Sequence, residues 1–147
     1  MHSIRIAILL LFCVSNISWA NPTIDAVAST PETHVQAIEG MTRYESRGIG
    51  FAGTPGRTYQ ALSALAQLGS VGTPYLIELT RSENPVARVA GIVGLGIQGE
   101  DSGRRVIEGL LQDTGSLDAF EGCIIGEDTV GAYARRTLKR VYGQPLK

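Results

Sequence analysis

The chain has 147 residues, of which 13 are Lys or Arg and 14 are Asp or Glu, and its formal net charge is −1. This near-neutral charge argues against general nucleic-acid binding, which needs a strongly basic surface. The length suits one domain with a modest core, and two cysteines are too few for a disulfide-rich scaffold.

The N-terminus has the pattern of a secretory signal peptide. Arg5 supplies a positive charge, residues 6–14 are apolar without interruption, and residues 18–20 place Ser and Ala where signal peptidase accepts small side chains. Nine apolar residues fall short of the roughly 20 that span a bilayer. We therefore predict cleavage after Ala20, export to the periplasm or the exterior, and no stable membrane span. The mature chain then carries a net charge of −2 and one cysteine, Cys123.

A lead-in of residues 21–57 precedes the main body. Thr30 and Pro31 are typical of a helix start, because a hydroxyl caps free N–H groups and Pro fits the first helical position. Apolar residues follow at helical spacing, so a helix is predicted over 31–44. Residues 48–56 contain four glycines and a proline, a composition that breaks regular structure.

Helical periodicity dominates the body, residues 58–147. A capping residue followed by Pro occurs at Thr73-Pro74 and again at Asn84-Pro85. Asp128 is predicted to cap the last helix. Short connections make neighbouring helices antiparallel. Helices are predicted over 58–68, from 73 onward, over 86–96, around 106–111 with an end near residue 113, and over 129–141.

The helices repeat along the chain. Leu68-Gly69 recurs as Leu95-Gly96, and residues 76–79 recur loosely as residues 107–110. Repeats of this length built from two helices are typical of an α-solenoid. The predicted fold class is therefore all-α, a short α-solenoid of stacked antiparallel helix pairs that follows a cleaved signal peptide.

Residues 84–91, with the sequence Asn-Pro-Val-Ala-Arg-Val-Ala-Gly, resemble the opening of a HEAT-like repeat from bacterial proteins related to phycobilisome lyase subunits. Residues 95–96, 110–113 and 133–138 resemble further parts of that unit, so the similarity covers roughly residues 59–141. The resemblance implies stacked helix pairs. It also implies a scaffold, an adaptor or, more rarely, a lyase, since one such fold serves several functions.

A competing interpretation is a dinucleotide-binding strand and loop, because residues 94–99 match G-x-G-x-x-G after an apolar run. Three observations oppose it. Pro85 starts a helix just before the supposed strand, the same positions recur in a helical repeat, and only 48 residues remain to build a sheet. We instead expect Gly91 and Gly94 to let two helices approach closely, and no cofactor is predicted.

The residues that carry chemistry are few. Outside the predicted signal peptide there is one histidine, His34, and one cysteine, Cys123, far apart in sequence. No third group is positioned locally to complete a catalytic set. The acids from residue 113 to residue 128 lack the spacing of a Ca²⁺ loop and are predicted to cap helices or to form a solvated face. No catalytic or metal-binding residue is predicted.

Residues 114–127 interrupt the repeat with an irregular segment. Phe120, Cys123, Ile124 and Ile125 lie there among glycines and acids. The segment either closes the end of the core or forms a recognition loop, since long insertions in repeat proteins often lie on the binding face. A disulfide between the Cys123 residues of two chains is a third alternative. The sequence leaves these alternatives and the oligomeric state open.

The C-terminal helix is basic. Arg135, Arg136, Lys139 and Arg140 follow residue 129 with no acid among them, whereas eight acids lie between residues 100 and 128. Cations near a helix C-terminus complement its dipole, which accounts for the composition without a partner. If this stretch also binds, its partner must be anionic, such as an acidic protein surface or phosphate groups.

These observations predict a non-catalytic binding or scaffolding module of the cell envelope or the exterior, which contacts another protein through a helical repeat surface. The alternative is an enzyme or an enzyme accessory protein. That alternative is lyase-like by the resemblance alone, and Cys123 is its only reactive candidate.

Overall fold

The first helix starts where the cap signal predicts, but a strand follows it almost at once. The computed structural model describes residues 29–143, so the predicted signal peptide and its cleavage site lie outside the described residues. No helix of this part of the chain is long and apolar enough to cross a membrane. The helices are α1 (Pro31–Glu39), α2 (Arg57–Gln67), α3 (Thr73–Leu79), α4 (Pro85–Gln98), α5 (Asp101–Glu108) and α6 (Val130–Tyr142), and the strands are β1 (Arg43–Ile49), β2 (Ser116–Gly122) and β3 (Ile124–Thr129).

Cap residues fix the starts of α4 and α6. Asn84 Oδ1 accepts a hydrogen bond from the N–H of Val86 at 2.9 Å, as the cap signal predicts. At α6 the prediction is wrong by one residue, since the Thr129 hydroxyl accepts from the N–H of Ala132 at 3.3 Å. Asp128 instead accepts from the N–H of Thr129 through one oxygen. Its second oxygen forms an ion pair with Arg136.

A three-stranded sheet shows that the predicted all-α fold class is wrong. The first helix ends at Glu39 instead of continuing to residue 44, and β1 follows it. β1 pairs in parallel with β2, and β2 pairs antiparallel with β3, which gives the order β1-β2-β3. The fold is mixed α/β, and residues 114–127 form most of a β-hairpin rather than an irregular loop.

Alternating side chains explain why β2 forms. Leu117 and Ala119 are buried, whereas Ser116 and Asp118 are exposed, and this period of two is what a strand with one buried face requires. Tyr44 of β1 pairs with Ala119 and is only 3% exposed. One face of the sheet therefore joins the core.

The apolar helix α4 lies at the centre of the core. Ten of its 14 residues are buried, and it packs against α2, α3, α5, α6 and the sheet. In a solenoid each unit contacts only its neighbours along the chain, whereas α4 contacts elements from both ends of the described residues. The stacked solenoid is therefore wrong as an architecture. The protein instead surrounds one mostly apolar helix with amphipathic ones.

Gly91 and Gly94 let α3 lie directly against α4, as the helical interpretation predicts. A Cβ atom on Gly91 would lie 2.6 Å from the Leu76 carbonyl oxygen, and one on Gly94 would lie 2.4 Å from Leu76 Cδ2. Both distances are too short for a side chain. Residues 85–98 are helical and Gly99 ends the helix with φ of 69°, so the dinucleotide-binding alternative lacks its strand.

Candidate binding groove

A groove of about 620 Å³ lies among β1, α2, α4 and α6, and we refer to it as the binding groove. Its volume is within the range of pockets that hold small ligands or single side chains of a partner. The buried residues of its lining are Tyr44, Val93, Gly96, Tyr133 and Thr137. The more exposed residues of its lining are Ser46, Arg47, Tyr59, Ile97, Glu121, Arg136, Arg140 and Val141.

One wall of the binding groove is a single face of α6. The positions that line it, 133, 136, 137, 140 and 141, are three or four residues apart and so stand in line along the helix. Gly96 brings α4 close to this wall, because a Cβ atom there would lie 2.4 Å from Thr137 Cγ2. A larger residue at position 96 would push the two helices apart.

Two tyrosines join β1 to α6 at the buried base of the binding groove. The rings of Tyr44 and Tyr133 are 5.0 Å apart with an interplanar angle of 66°, the edge-to-face geometry that aromatic pairs favour. The Tyr133 hydroxyl donates to Glu121 Oε1 at 2.5 Å. Burial, reinforced by this hydrogen bond, raises the pKa of Tyr133 far above its usual range, so its hydroxyl remains a donor.

Arg136 is held by contacts within the protein. Its guanidinium lies 4.2 Å from the centroid of the Tyr133 ring, a cation–π contact. Its Nη2 lies 2.7 Å from Asp128 Oδ2 and 3.8 Å from Glu121 Oε1. Partial burial lowers the pKa of Arg136, but the hydrogen bond and charge of Asp128 outweigh it and raise this pKa. Arg136 therefore ties α6 to the β2–β3 hairpin.

Arg47 and Arg140 face the same groove without such partners. Within residues 29–143, no ion pair involves either guanidinium. Arg47 comes from β1 and Arg140 from the last turns of α6. The binding groove therefore presents two cations with free N–H donors beside an apolar and aromatic base.

The basic residues predicted as interaction candidates on α6 do not act as one patch. Arg136 and Arg140 line the binding groove, and Arg135 and Lys139 do not. Arg135 donates to the carbonyl oxygen of Leu111 at 2.8 Å, and Lys139 is exposed. Only Arg140 combines a place in the groove with an unpaired charge in the described part of the chain.

The hairpin residues predicted as interaction candidates lie outside the binding groove. Phe120 of β2 pairs with Ile125 of β3, and Cys123 is exposed in the turn between them. Ile124 and Ile125 are 74% and 56% exposed. This surface is separate from the groove, whose only lining residue from the hairpin is Glu121.

Sequence reasoning missed the contributions of β1 and α2 to the binding groove. Tyr44 falls at the end of the helix predicted over 31–44, and Tyr59 falls within the helix predicted over 58–68. The sequence pattern gives Arg47 no role. Their common site depends on the pairing of β1 with β2, which joins residues 43–45 to residues 118–120, and no local pattern indicates that pairing.

Arg88 lies outside the binding groove, and its guanidinium contacts other parts of the protein. Its Nε lies 2.8 Å from Asp113 Oδ2, and its Nη1 donates to the carbonyl oxygens of Ser82 at 2.8 Å and Glu83 at 3.0 Å. Asp113 also accepts from the N–H of Gly115 at 2.8 Å. The pair joins the loop before α4 to the connection between α5 and β2. Asp113, predicted as a cap or a solvated acid, is an ion-pair partner.

In the described part of the chain, the structure does not bring together the two residues, His34 and Cys123, on which a catalytic set would depend. The His34 ring is hydrogen-bonded to the Ser29 hydroxyl at 3.0 Å, and no hydrogen bond joins it to Cys123 in the described part of the chain. Within the same part, no group of three or more His, Cys, Asp or Glu side chains is placed to hold a metal ion.

The comparisons with known proteins add no family to these findings. The sequence matches no family model, and no curated protein matches it. The resemblance to HEAT-like repeats therefore stays a prediction based on residues 84–96 and the related segments.

Proposed function

We propose that the protein is a non-catalytic binding module of the cell envelope or exterior, and that its binding groove recognises an acidic segment of a partner protein. The observation that carries the proposal is that Arg47 and Arg140 line one groove and make no ion pair within the described residues. Export is part of the proposal and rests on the signal-peptide pattern of the sequence.

The mixture of residues in the binding groove favours a protein partner. Tyr and Arg are the side chains that most often carry binding energy at protein interfaces. Three tyrosines and three arginines line this groove, and Ile97 at its edge is 43% exposed. An acidic segment that also carries an apolar side chain would satisfy both the cations and the apolar surface.

Arg47 and Arg140 are both exposed, and this exposure determines how salt should affect partner binding. Charges at the edge of an interface steer association and give specificity more than they add affinity. Salt screens such charges over about 8 Å at physiological ionic strength. We therefore expect the association rate and the affinity of the partner to fall as salt concentration rises.

The test is affinity capture of partners from the native cell envelope with three forms of the purified protein. These are the wild type, the groove variant Arg47→Glu with Arg140→Glu, and a matched variant Arg81→Glu with Arg105→Glu. The matched pair is exposed, unpaired in the described residues and outside the groove, so it makes the same change of net charge elsewhere.

We expect a stoichiometric protein partner that the wild type and the matched variant retain and that the groove variant loses at low salt. Retention of the partner by the groove variant, with folding intact, would refute the groove as the binding site. Capture of a small molecule that the protein converts to a product would instead support the enzyme alternative.

A further inference from the structure

Tyr44 brings a phenol hydroxyl to the binding groove. Tyr44 lines the groove and is only 3% exposed, yet its hydroxyl makes no hydrogen bond within residues 29–143. The hydroxyl is not enclosed by the protein, so it opens to the groove, where it can donate to a ligand. The neighbouring Tyr59 hydroxyl also lacks a partner within the same residues. Two phenol donors are therefore available in the groove.

These two hydroxyls stand among the charges of the binding groove. Burial raises the pKa of Tyr44 well above its usual range, with smaller raising effects from Glu121 and Tyr59. The charges of Arg140 and Arg136 act in the opposite direction. Tyr44 is therefore a neutral donor in a groove that these two arginines also line.

The charges that line or reach the binding groove sum to a single positive charge. Arg47, Arg136 and Arg140 contribute three cations, and Glu121 and Asp128 contribute two carboxylates through their ion pairs with Arg136. A monoanion would bring this set to neutrality. A doubly charged phosphate would leave an excess negative charge close to two carboxylates, which costs electrostatic energy.

We propose that the binding groove holds one carboxylate, accepting hydrogen bonds from the Tyr44 and Tyr59 hydroxyls and from the Arg140 guanidinium. This inference rests on the proposed function and names the group of the acidic segment that is recognised. Val93 and Ile97, which line the same groove, contact the apolar part of the residue that carries the carboxylate.

The probe is 3-phenylpropionate, which carries one carboxylate on an apolar body, titrated into protein with isotope-labelled tyrosines and followed by NMR. We expect the Tyr44 and Tyr59 resonances to shift and the neutral analogue 3-phenylpropanol to bind at least about tenfold more weakly, since bonds to a charged acceptor are the stronger ones. Phenyl phosphate should bind no more tightly than the carboxylate.

The variant Tyr44→Phe removes the hydroxyl and keeps the ring, and we expect it to weaken 3-phenylpropionate binding about tenfold. Tyr142→Phe is the matched control, because the Tyr142 hydroxyl donates to the Glu100 carbonyl oxygen at 2.9 Å away from the groove. Tyr59→Phe gives a second reading of the same site if Tyr44→Phe unfolds. The unfolding temperature of each variant reports its folding.

Equal binding of the acid and the alcohol, or no shift of either tyrosine, would overturn the carboxylate site. Unchanged affinity in both folded variants, Tyr44→Phe and Tyr59→Phe, would also overturn it. Tighter binding of phenyl phosphate would refute the choice of a monoanion. None of these results refutes partner capture through Arg47 and Arg140, which the charge-reversal experiment tests separately.

Discussion

Two arginine sites in this protein differ in how many contacts the protein makes to their guanidinium groups. At Arg88 the guanidinium contacts a carboxylate and two backbone carbonyl groups, and its side chain is 16% exposed. In the binding groove Arg136 is paired, but Arg47 and Arg140 have no ion pair within residues 29–143. The first site joins two connections of the fold, whereas the second leaves two charges without an ion pair in these residues.

The difference shows why charge alone is a poor guide to a binding site. The sequence places Arg135, Arg136, Lys139 and Arg140 in one basic stretch, yet the structure gives only Arg140 the combination of groove position and free charge. Pairing by neighbours and the direction of each side chain decide the role of a cation. Three predictions on arginine variants test this division and a fourth tests Tyr44 of the binding groove, in order from the largest expected effect to the smallest.

Replacing Arg88 should destabilise the fold most. Arg88→Met leaves Asp113 and two backbone carbonyl groups without their partner in a largely buried place, and we expect the free energy of unfolding to fall by about 2–3 kcal/mol. The control is Arg104→Met, which breaks the exposed pair with Glu108 and should cost about 0.5 kcal/mol. Denaturant unfolding measures both, and equal losses would contradict a special role for Arg88.

Replacing Arg136 should have an intermediate effect. Arg136→Met removes the contact with the Tyr133 ring and the pair with Asp128, but the arginine side chain is 50% exposed. We expect a loss of about 1 kcal/mol in the free energy of unfolding. Its neighbour Arg135 is the control, since Arg135→Met should cost less. A larger loss for Arg135→Met than for Arg136→Met would show that the hairpin is held in another way.

Alkaline pH should weaken the fold through Tyr44. The unfolded state loses this phenol proton near pH 10, whereas burial raises the pKa of Tyr44 in the folded state, so its contribution is present below pH 10 and is lost as pH rises. Between pH 10 and pH 11 the loss should be about 1 kcal/mol. Urea unfolding should show a smaller loss in Tyr44→Phe, and an equal loss would mean that Tyr44 ionises freely.

Replacing Arg140 should hardly change stability. Because its guanidinium has no ion pair in the described residues, Arg140→Gln and Lys139→Gln should each change the free energy of unfolding by less than about 0.5 kcal/mol. The two variants should differ in binding, since only Arg140 lines the groove. Titration with the captured partner should show weaker binding for Arg140→Gln alone. Equal losses of affinity in both variants would mean that binding depends on the net charge of α6 and not on the position of Arg140 in the groove.

The starts of α1, α4 and α6 could be predicted because their signals are local, whereas α5 begins at Asp101 and ends at Glu108, before the predicted end near residue 113. Asn84 and Pro85 mark the start of α4, and Thr129 with the apolar spacing after it marks α6 within one residue. The sheet could not, because β1 has one fully buried apolar side chain, Tyr44, and its partner strand lies more than 70 residues later. The alternation of buried Leu117 and Ala119 with exposed neighbours is typical of a strand. The sequence analysis instead interprets this segment as an irregular interruption of a helical repeat.

The binding groove could not be predicted from the sequence, for a related reason. Its lining comes from β1, α2, α4, the end of β2 and α6, so its composition exists only after the parallel pairing of β1 with β2. The sequence did indicate Arg136 and Arg140 as basic residues four apart on one helix. It could not indicate that Asp128 and Tyr133 contact Arg136 while Arg140 has no ion pair in the described part of the chain.

The division between structural and available arginines can be observed directly in the Nε–Hε signals of assigned arginine side chains by NMR. We expect the Arg88 signal to be protected from exchange with water, and the Arg47 and Arg140 signals to exchange rapidly. On addition of 3-phenylpropionate, the Arg140 signal should shift and the Arg88 signal should stay unchanged. A shift of Arg88 without a shift of Arg140 would contradict the assignment of the binding groove.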